Sequence, residues 1–172
     1  MKVLISAAVI ATMSSASFAG DWTGGYVGGQ IGYANVKPSG GIADGSGGTY
    51  GLHAGYDYDL GDWVMGAELD YDRFKINVGS PVAATADYVL RAKLKLGYDF
   101  GNVMGYGVIG PARVKTTLGS KTDAFYGIGL SYLATPQWSV SGEYLYHKFK
   151  NIGGSSVDAR ADSFSLRAAY RF

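Results

Sequence analysis

The chain contains no cysteine, so no disulfide framework can hold it, even in an oxidising compartment. It has only four prolines and no Gly-X-Y period, which excludes a collagen-like rod despite 27 glycines. No stretch approaches about eighteen consecutive apolar residues, so no transmembrane helix is encoded. A formal net charge of +1 leaves no electrostatic footprint for a nucleic-acid partner. The two histidines, His53 and His147, come without clustered loop carboxylates, so neither a metal site nor a cofactor is expected. The Gly-rich stretches Gly24–Gly32 and Gly40–Gly48 join no strand to a helix and precede no Gly-Lys-Ser/Thr, so they are not phosphate loops.

What is present begins with an export signal. Lys2 supplies a positive charge, Val3–Thr12 is a short apolar run, and Ser17-Phe18-Ala19 fits a small-x-small cleavage site. Cleavage after Ala19 is expected, separating a signal peptide (1–19) from one mature domain (20–172). The absence of a helix and the 14 tyrosines among abundant glycine point to a β-barrel.

Tyr88–Phe100 shows why. Tyr88, Leu90, Ala92, Leu94, Leu96, Tyr98 and Phe100 alternate with Val89, Arg91, Lys93, Lys95, Gly97 and Asp99. A period of two is a strand signal, and this run is about twice the length of an ordinary strand. At about 3.3 Å per residue it is long enough to cross a bilayer at a tilt. The same alternation recurs in Trp22–Val36, Thr49–Leu60, Trp63–Arg73, Val103–Lys115, Asp123–Leu133, Trp138–Phe149 and Asp158–Phe172. Pro111, which cannot donate to a ladder, predicts a bulge or irregular pairing in the fifth strand.

The connections alternate too. Lys37–Gly48, Phe74–Ala86, Thr116–Thr122 and Lys150–Val157 are longer and polar, whereas those around Gly61, Gly101 and Pro136 are tight. Short turns at one end and longer loops at the other are the asymmetry of bacterial outer-membrane barrels. The reading is an all-β, eight-stranded, antiparallel up-and-down transmembrane β-barrel. Trp22, Tyr58, Trp63, Tyr98, Phe100, Trp138, Tyr170 and Phe172 would form a girdle at the periplasmic interface. Tyr33, Tyr50, Tyr71, Tyr88, Tyr126, Tyr146 and Phe164 would form one at the outer interface. The competing architecture is a soluble lipocalin-like barrel with an apolar interior. The charged faces are the ones crowded with Gly and Ser, as a narrow lumen requires, which favours the membrane barrel.

The signal peptide, the opening WTGGYVGGQIGY and the terminal LRAAYRF resemble the small outer-membrane β-barrel family of Gram-negative bacteria. This is the OmpA-transmembrane and opacity-type group, with the alphaproteobacterial porin-like surface proteins, and the resemblance covers the whole mature chain. It implies that Leu166, Ala168, Tyr170 and Phe172 act as the signal read by the barrel-assembly machinery. It also implies outer-membrane lipid and lipopolysaccharide as surroundings. Gly110-Pro111 departs from the family pattern. No peptidoglycan-binding domain follows Phe172, so that role of the family is not expected, although attachment of an N-terminal Gly20-Asp21 to peptidoglycan is conceivable from relatives.

Inside the barrel, alternation collects Glu68, Asp70 and Asp72 of the third strand and Arg91, Lys93 and Lys95 of the fourth, with Arg113, Glu143, His147 and Arg167. Counting from the turns pairs Glu68 with Lys95, Asp70 with Lys93 and Asp72 with Arg91. Such walls could line a narrow ion or small-solute channel. Eight strands, however, leave an interior that side chains just fill, and paired charges would plug it. The plug is the expected arrangement. The family resemblance also brings in barrels that deacylate or acylate lipid A. Here both histidines fall on the inward parity and His147 lacks the His-x-Ser arrangement, so no catalytic residue is assigned. The expected role is that of a structural outer-membrane protein supporting envelope integrity, with outer loops free to meet a surface ligand or another membrane protein.

Overall fold

The computed structural model describes residues 21–38, 45–76, 86–116, 119–149 and 159–172. The expected signal peptide and its cleavage point lie outside these residues, as do residues 39–44, 77–85, 117–118 and 150–158 of the expected outer loops. Eight strands follow one another: β1 (Gly24–Pro38), β2 (Gly45–Asp59), β3 (Trp63–Ile76), β4 (Ala86–Asp99), β5 (Val103–Thr116), β6 (Gly119–Leu133), β7 (Trp138–Phe149) and β8 (Ala159–Arg171). Each pairs antiparallel with the next, and β8 closes on β1, so the sheet is a closed up-and-down barrel without edges.

The alternation decides which face is which. On β4, Arg91, Lys93, Lys95 and Gly97 are buried while Leu90, Ala92, Leu94, Leu96 and Tyr98 are exposed. A soluble barrel would reverse this. A continuous belt of exposed Leu, Ile, Val and aromatic side chains around a charged interior is stable only where the surroundings are apolar. At the turn end, Tyr58, Trp63, Tyr98, Phe100 and Trp138 are all exposed on the outer surface. Their rings pack edge to face, Trp63 with Tyr98 at 5.2 Å and Trp138 with Tyr170 at 5.4 Å between centroids.

Two of the three tight turns repeat one device. Asp59-Leu60-Gly61 and Asp99-Phe100-Gly101 each let the Asp carboxylate accept the N–H of the Gly two residues on, at 2.8 and 2.6 Å. Gly61 and Gly101 take positive φ (101° and 84°), which a side chain would resist. The third turn is held by Thr135, whose hydroxyl accepts the Trp138 N–H at 3.0 Å.

Three sequence expectations are corrected. The strands run further outward than alternation suggested: β1 reaches Pro38, β2 starts at Gly45, and β6 starts at Gly119, so the loop expected at Thr116–Thr122 narrows to residues 117–118. Polar residues at a barrel rim obscure the period although the backbone ladder continues. No bulge forms at Pro111, since Arg91 opposes Ala112 and Leu94 opposes Ile109 in one register, but the β4–β5 ladder is interrupted beside it, with Ala92 and Lys93 left out of the pairing, as a residue without an N–H requires. The register shift itself lies between Ala86 and Tyr88. Finally, β5 turns its other face inward: Met104, Tyr106, Val108 and Ala112 are buried, while Arg113 is exposed on the outside. Both parities of β5 carry apolar residues, so periodicity alone does not orient it; its neighbours' ladders do.

Candidate functional site

The lumen has two unlike walls. Around β5 and β6 it is apolar, with Val89, Met104, Tyr106, Val108, Ala112, Phe125 and Leu145 packed together. The rest of the circumference delivers ten ionic side chains, all buried. Five are acids (Asp57, Glu68, Asp70, Asp72, Glu143) and five are bases (Arg91, Lys93, Lys95, Arg167, Arg171), so the formal charges cancel. Cancellation matters because an unpaired ion here would carry a desolvation cost of several kcal/mol.

At mid-height Lys93 Nζ of β4 lies 3.0 Å from Glu68 and 2.6 Å from Asp70, both on β3, and 2.5 Å from Glu143 on β7. Arg167 of β8 reaches Glu68 at 2.8 Å and Glu143 at 2.7 Å. In an eight-strand ring β3 faces β7 and β4 faces β8, so these contacts span the lumen from wall to wall. The hydroxyl of Tyr26 donates to Glu68 at 2.8 Å and that of Tyr106 to Glu143 at 3.3 Å.

Towards the loop end, Arg91 pairs with Asp72, and its Nε donates to His147 Nε2 at 3.2 Å. His147 stacks on Phe125 at 5.2 Å, and Gln30 donates to Asp72 at 2.5 Å. A small cavity remains there between Gln30, Asp72, Arg91, Glu143 and Leu145, about the size of one water molecule.

Towards the turn end, Lys95 binds Asp57 at 2.7 Å and Arg171 binds it at 3.2 Å. Asp57, Gly66 and Lys95 are level on three successive strands. Gly66 has no side chain, and Lys95 passes over it to reach Asp57. Arg171 also donates to the carbonyl of Trp22 and lies 5.3 Å from its ring.

Nine of the ten expected lumen residues converge: Glu68, Asp70, Asp72, Arg91, Lys93, Lys95, Glu143, His147 and Arg167. Arg113 does not, for the reason given for β5. The expected register was two residues out. The ladder opposes Glu68 with Lys93 and Asp70 with Arg91, and Lys95 faces Gly66. The ion pairs Asp70–Lys93 and Asp72–Arg91 nevertheless form diagonally, because side chains lean along twisted strands. Glu68–Lys95 does not form. Trp22 also departs from expectation. It is 0% exposed, not part of the girdle, and its Nε1–H donates to Asp99 Oδ1 and to the Gly101 carbonyl, each at 3.1 Å. It closes over the turn end of the lumen.

Asp57 and Arg171 escaped the sequence set although their parity matches His53 and Arg167. Tyr26 and Gln30 carried no signal, since glycine flanks both and blurs the alternation of β1. The exposed Leu166, Ala168, Tyr170 and Phe172 occupy one outward face of β8 and its end. Among the described residues no grouping of three or more His, Asp or Glu side chains forms a metal-ion site.

A closed eight-strand sheet with a charged interior, an apolar exterior and aromatic rims defines a transmembrane barrel of the bacterial outer membrane. The chain matches the outer membrane protein beta-barrel domain family over residues 4–172 and belongs to it. It is similar to the 31 kDa outer-membrane immunogenic protein of Brucella melitensis, 28% identical over 240 aligned positions that take in 100% of this chain and 99% of the relative. Among solved structures it resembles Neisserial surface protein A (TM-score 0.62, 21% identity, 87% of this chain and 98% of the other). It also resembles Ail, the attachment invasion locus protein of Yersinia pestis (0.58, 21%, 87% and 99%). A third is the outer membrane protein OprG of Pseudomonas aeruginosa (0.52, 12%, 91% and 99%). The protein resides in the outer membrane, surrounded by its lipid and lipopolysaccharide. In such barrels the short turns are periplasmic and the other end faces out.

Proposed function

We propose that this is a structural outer-membrane protein whose lumen is closed by its own charge network, and whose work for the envelope is done by its shell and outer loops. One observation carries the reading: Lys93 and Arg167 bind carboxylates from facing walls, with Tyr26 and Tyr106 filling the space beside them. A hydrated ion would have to break several charge-assisted bonds to pass. The protein is read as non-enzymatic. Its two histidines are buried in the lumen away from lipid, and His147 is engaged by Arg91. The outward row of Leu166, Ala168, Tyr170 and Phe172 suits recognition by the barrel-assembly machinery, and Phe172→Ala should slow assembly in cells. Attachment of the N-terminus to peptidoglycan is a separate proposal, checked by mass spectrometry of muropeptide-linked peptides.

The deciding test is single-channel conductance in planar bilayers, wild type beside Glu68→Ala/Asp70→Ala. Silence or rare small steps in the wild type supports the closed barrel. Steady openings whose ion selectivity shifts in the double variant would establish the narrow channel instead.

A further inference from the structure

One junction of this barrel is not bridged by the chain. Every other pair of neighbouring strands is consecutive in sequence, whereas β8 meets β1 only through its ladder, with Trp22 and Arg171 149 residues apart. Closing so long a loop carries an entropy cost that no turn shares, and non-local pairings of this kind form late. Side chains do little to hold the seam near its turn end. Two consecutive rungs there, Gly28 with Ala169 and Gly29 with Ala168, offer almost nothing for the cross-strand contacts that stabilise a sheet.

The residues around the start of β1 supply a different fastening. Between them, Trp22 and Gly25 grip the last two residues of the chain from both faces of the sheet. On the lumen side Arg171 donates to the Trp22 carbonyl, and its guanidinium lies 5.3 Å from the Trp22 ring and 5.2 Å from that of Tyr26. On the outer side the Phe172 ring covers Gly25 so closely that a Cβ there would stand 3.2 Å from it. The Phe172 N–H donates to the Gly25 carbonyl at 3.0 Å.

The same segment reaches away from the seam. The Trp22 N–H donates to Asp59 Oδ2 at 3.2 Å, and the Asp59 N–H donates to the Thr23 hydroxyl at 3.1 Å. The indole N–H goes to Asp99 and Gly101, and the ring packs in one cluster with Val64, Met104 and Leu133. Asp59 belongs to the β2–β3 turn, and Asp99 and Gly101 to the β4–β5 turn. The seat of Trp22 is therefore built from both ends of the chain and from two turns between them. It is complete only in the closed ring.

We infer that Trp22 is the latch of the barrel: its docking and the closure of the β8–β1 seam are a single event. Closing the ring seals the periplasmic mouth, and loosening either face of the seam frees the indole. The inference rests on these seam contacts and not on the closed lumen, so this experiment and the conductance measurement can fail separately.

Hydrogen exchange followed by NMR on the folded protein in detergent micelles tests the coupling. In the wild type the Trp22 indole N–H and the Phe172 amide should share one protection factor. Trp22→Phe fills the seat but lacks the indole donor, losing a hydrogen bond to a carboxylate. Exchange at the Phe172 amide should then quicken about tenfold. The Ala134 amide, bonded to the Trp138 carbonyl at 2.9 Å in the β6–β7 turn, should keep its wild-type rate. Gly25→Val displaces the Phe172 ring on the outer face; by the coupling it should also quicken exchange of the Trp22 indole on the inner one. Clearly different wild-type protection at Phe172 and the Trp22 indole would overturn the latch, and needs no variant to fold. So would an equal rise at Ala134 in Trp22→Phe, or an indole left at its wild-type protection in Gly25→Val.

Discussion

Lys93 on β4 and Glu143 on β7 meet across the barrel at 2.5 Å, three strands apart around its circumference and fifty residues apart in the chain. Neither strand hydrogen-bonds to the other. The pair ties facing walls together, and each partner is in turn held by residues of a third strand.

Removing one charge from this cluster leaves its partners buried and unbalanced. Lys93→Met should lower stability by about 3–5 kcal/mol. Lys93→Met/Glu143→Leu, which removes one cation and one anion, should recover a substantial part of that loss. Urea unfolding of protein folded in lipid vesicles measures both; equal losses in the two variants would show that charge balance is not what the pairing secures.

Trp22 seals the periplasmic end, bridging Asp99, Gly101 and Arg171. Trp22→Ala should cost about 3 kcal/mol, in the range for large aromatic truncations. A girdle residue would behave differently, and Trp63→Ala, on the exposed surface, is the comparison. Tryptophan quenching by brominated lipid should reach Trp63 and spare Trp22.

Gly66 lies under the Lys95–Asp57 bridge. A Cβ there would meet the Asp57 carboxylate and come within 3.1 Å of Lys95 Cε. Gly66→Ala should destabilise by about 1–3 kcal/mol. In Gly66→Ala/Lys95→Met the two losses should sum to less than additive, with a coupling of about 0.5 kcal/mol or more, because the bridge is already gone.

Arg113 stands outside the lumen, so Arg113→Leu should change stability by no more than about 0.5 kcal/mol. It should also leave bilayer conductance as it is in the wild type. A conductance change on that substitution alone would place Arg113 back on an ion path.

Much of this was legible before folding. Tyr88–Phe100 reads as a membrane strand from its own residues, because a strict period of two separates Leu90, Leu94 and Leu96 from Arg91, Lys93 and Lys95. The eight strands follow from the same reading, and so does the alternation of turns with loops except between β5 and β6, where the strands run on to Thr116 and from Gly119. Where the period carries contrast on only one parity the reading falters, as in β5, whose Met104 and Val108 compete with Val103 and Ile109 for the same description.

Sequence alone determined the class of fold and, on strands whose two parities contrast, which residues had to avoid lipid, since hydrophobicity and its period are local properties of a strand. Tertiary structure decided who meets whom. Ladder register places Lys93 rather than Lys95 beside Glu68, barrel closure brings Lys37 level with Arg160, and an N-terminal tryptophan turns from membrane to lumen because Asp99 and Arg171 await it there. Those choices depend on contacts between distant parts of the chain, which no local pattern encodes.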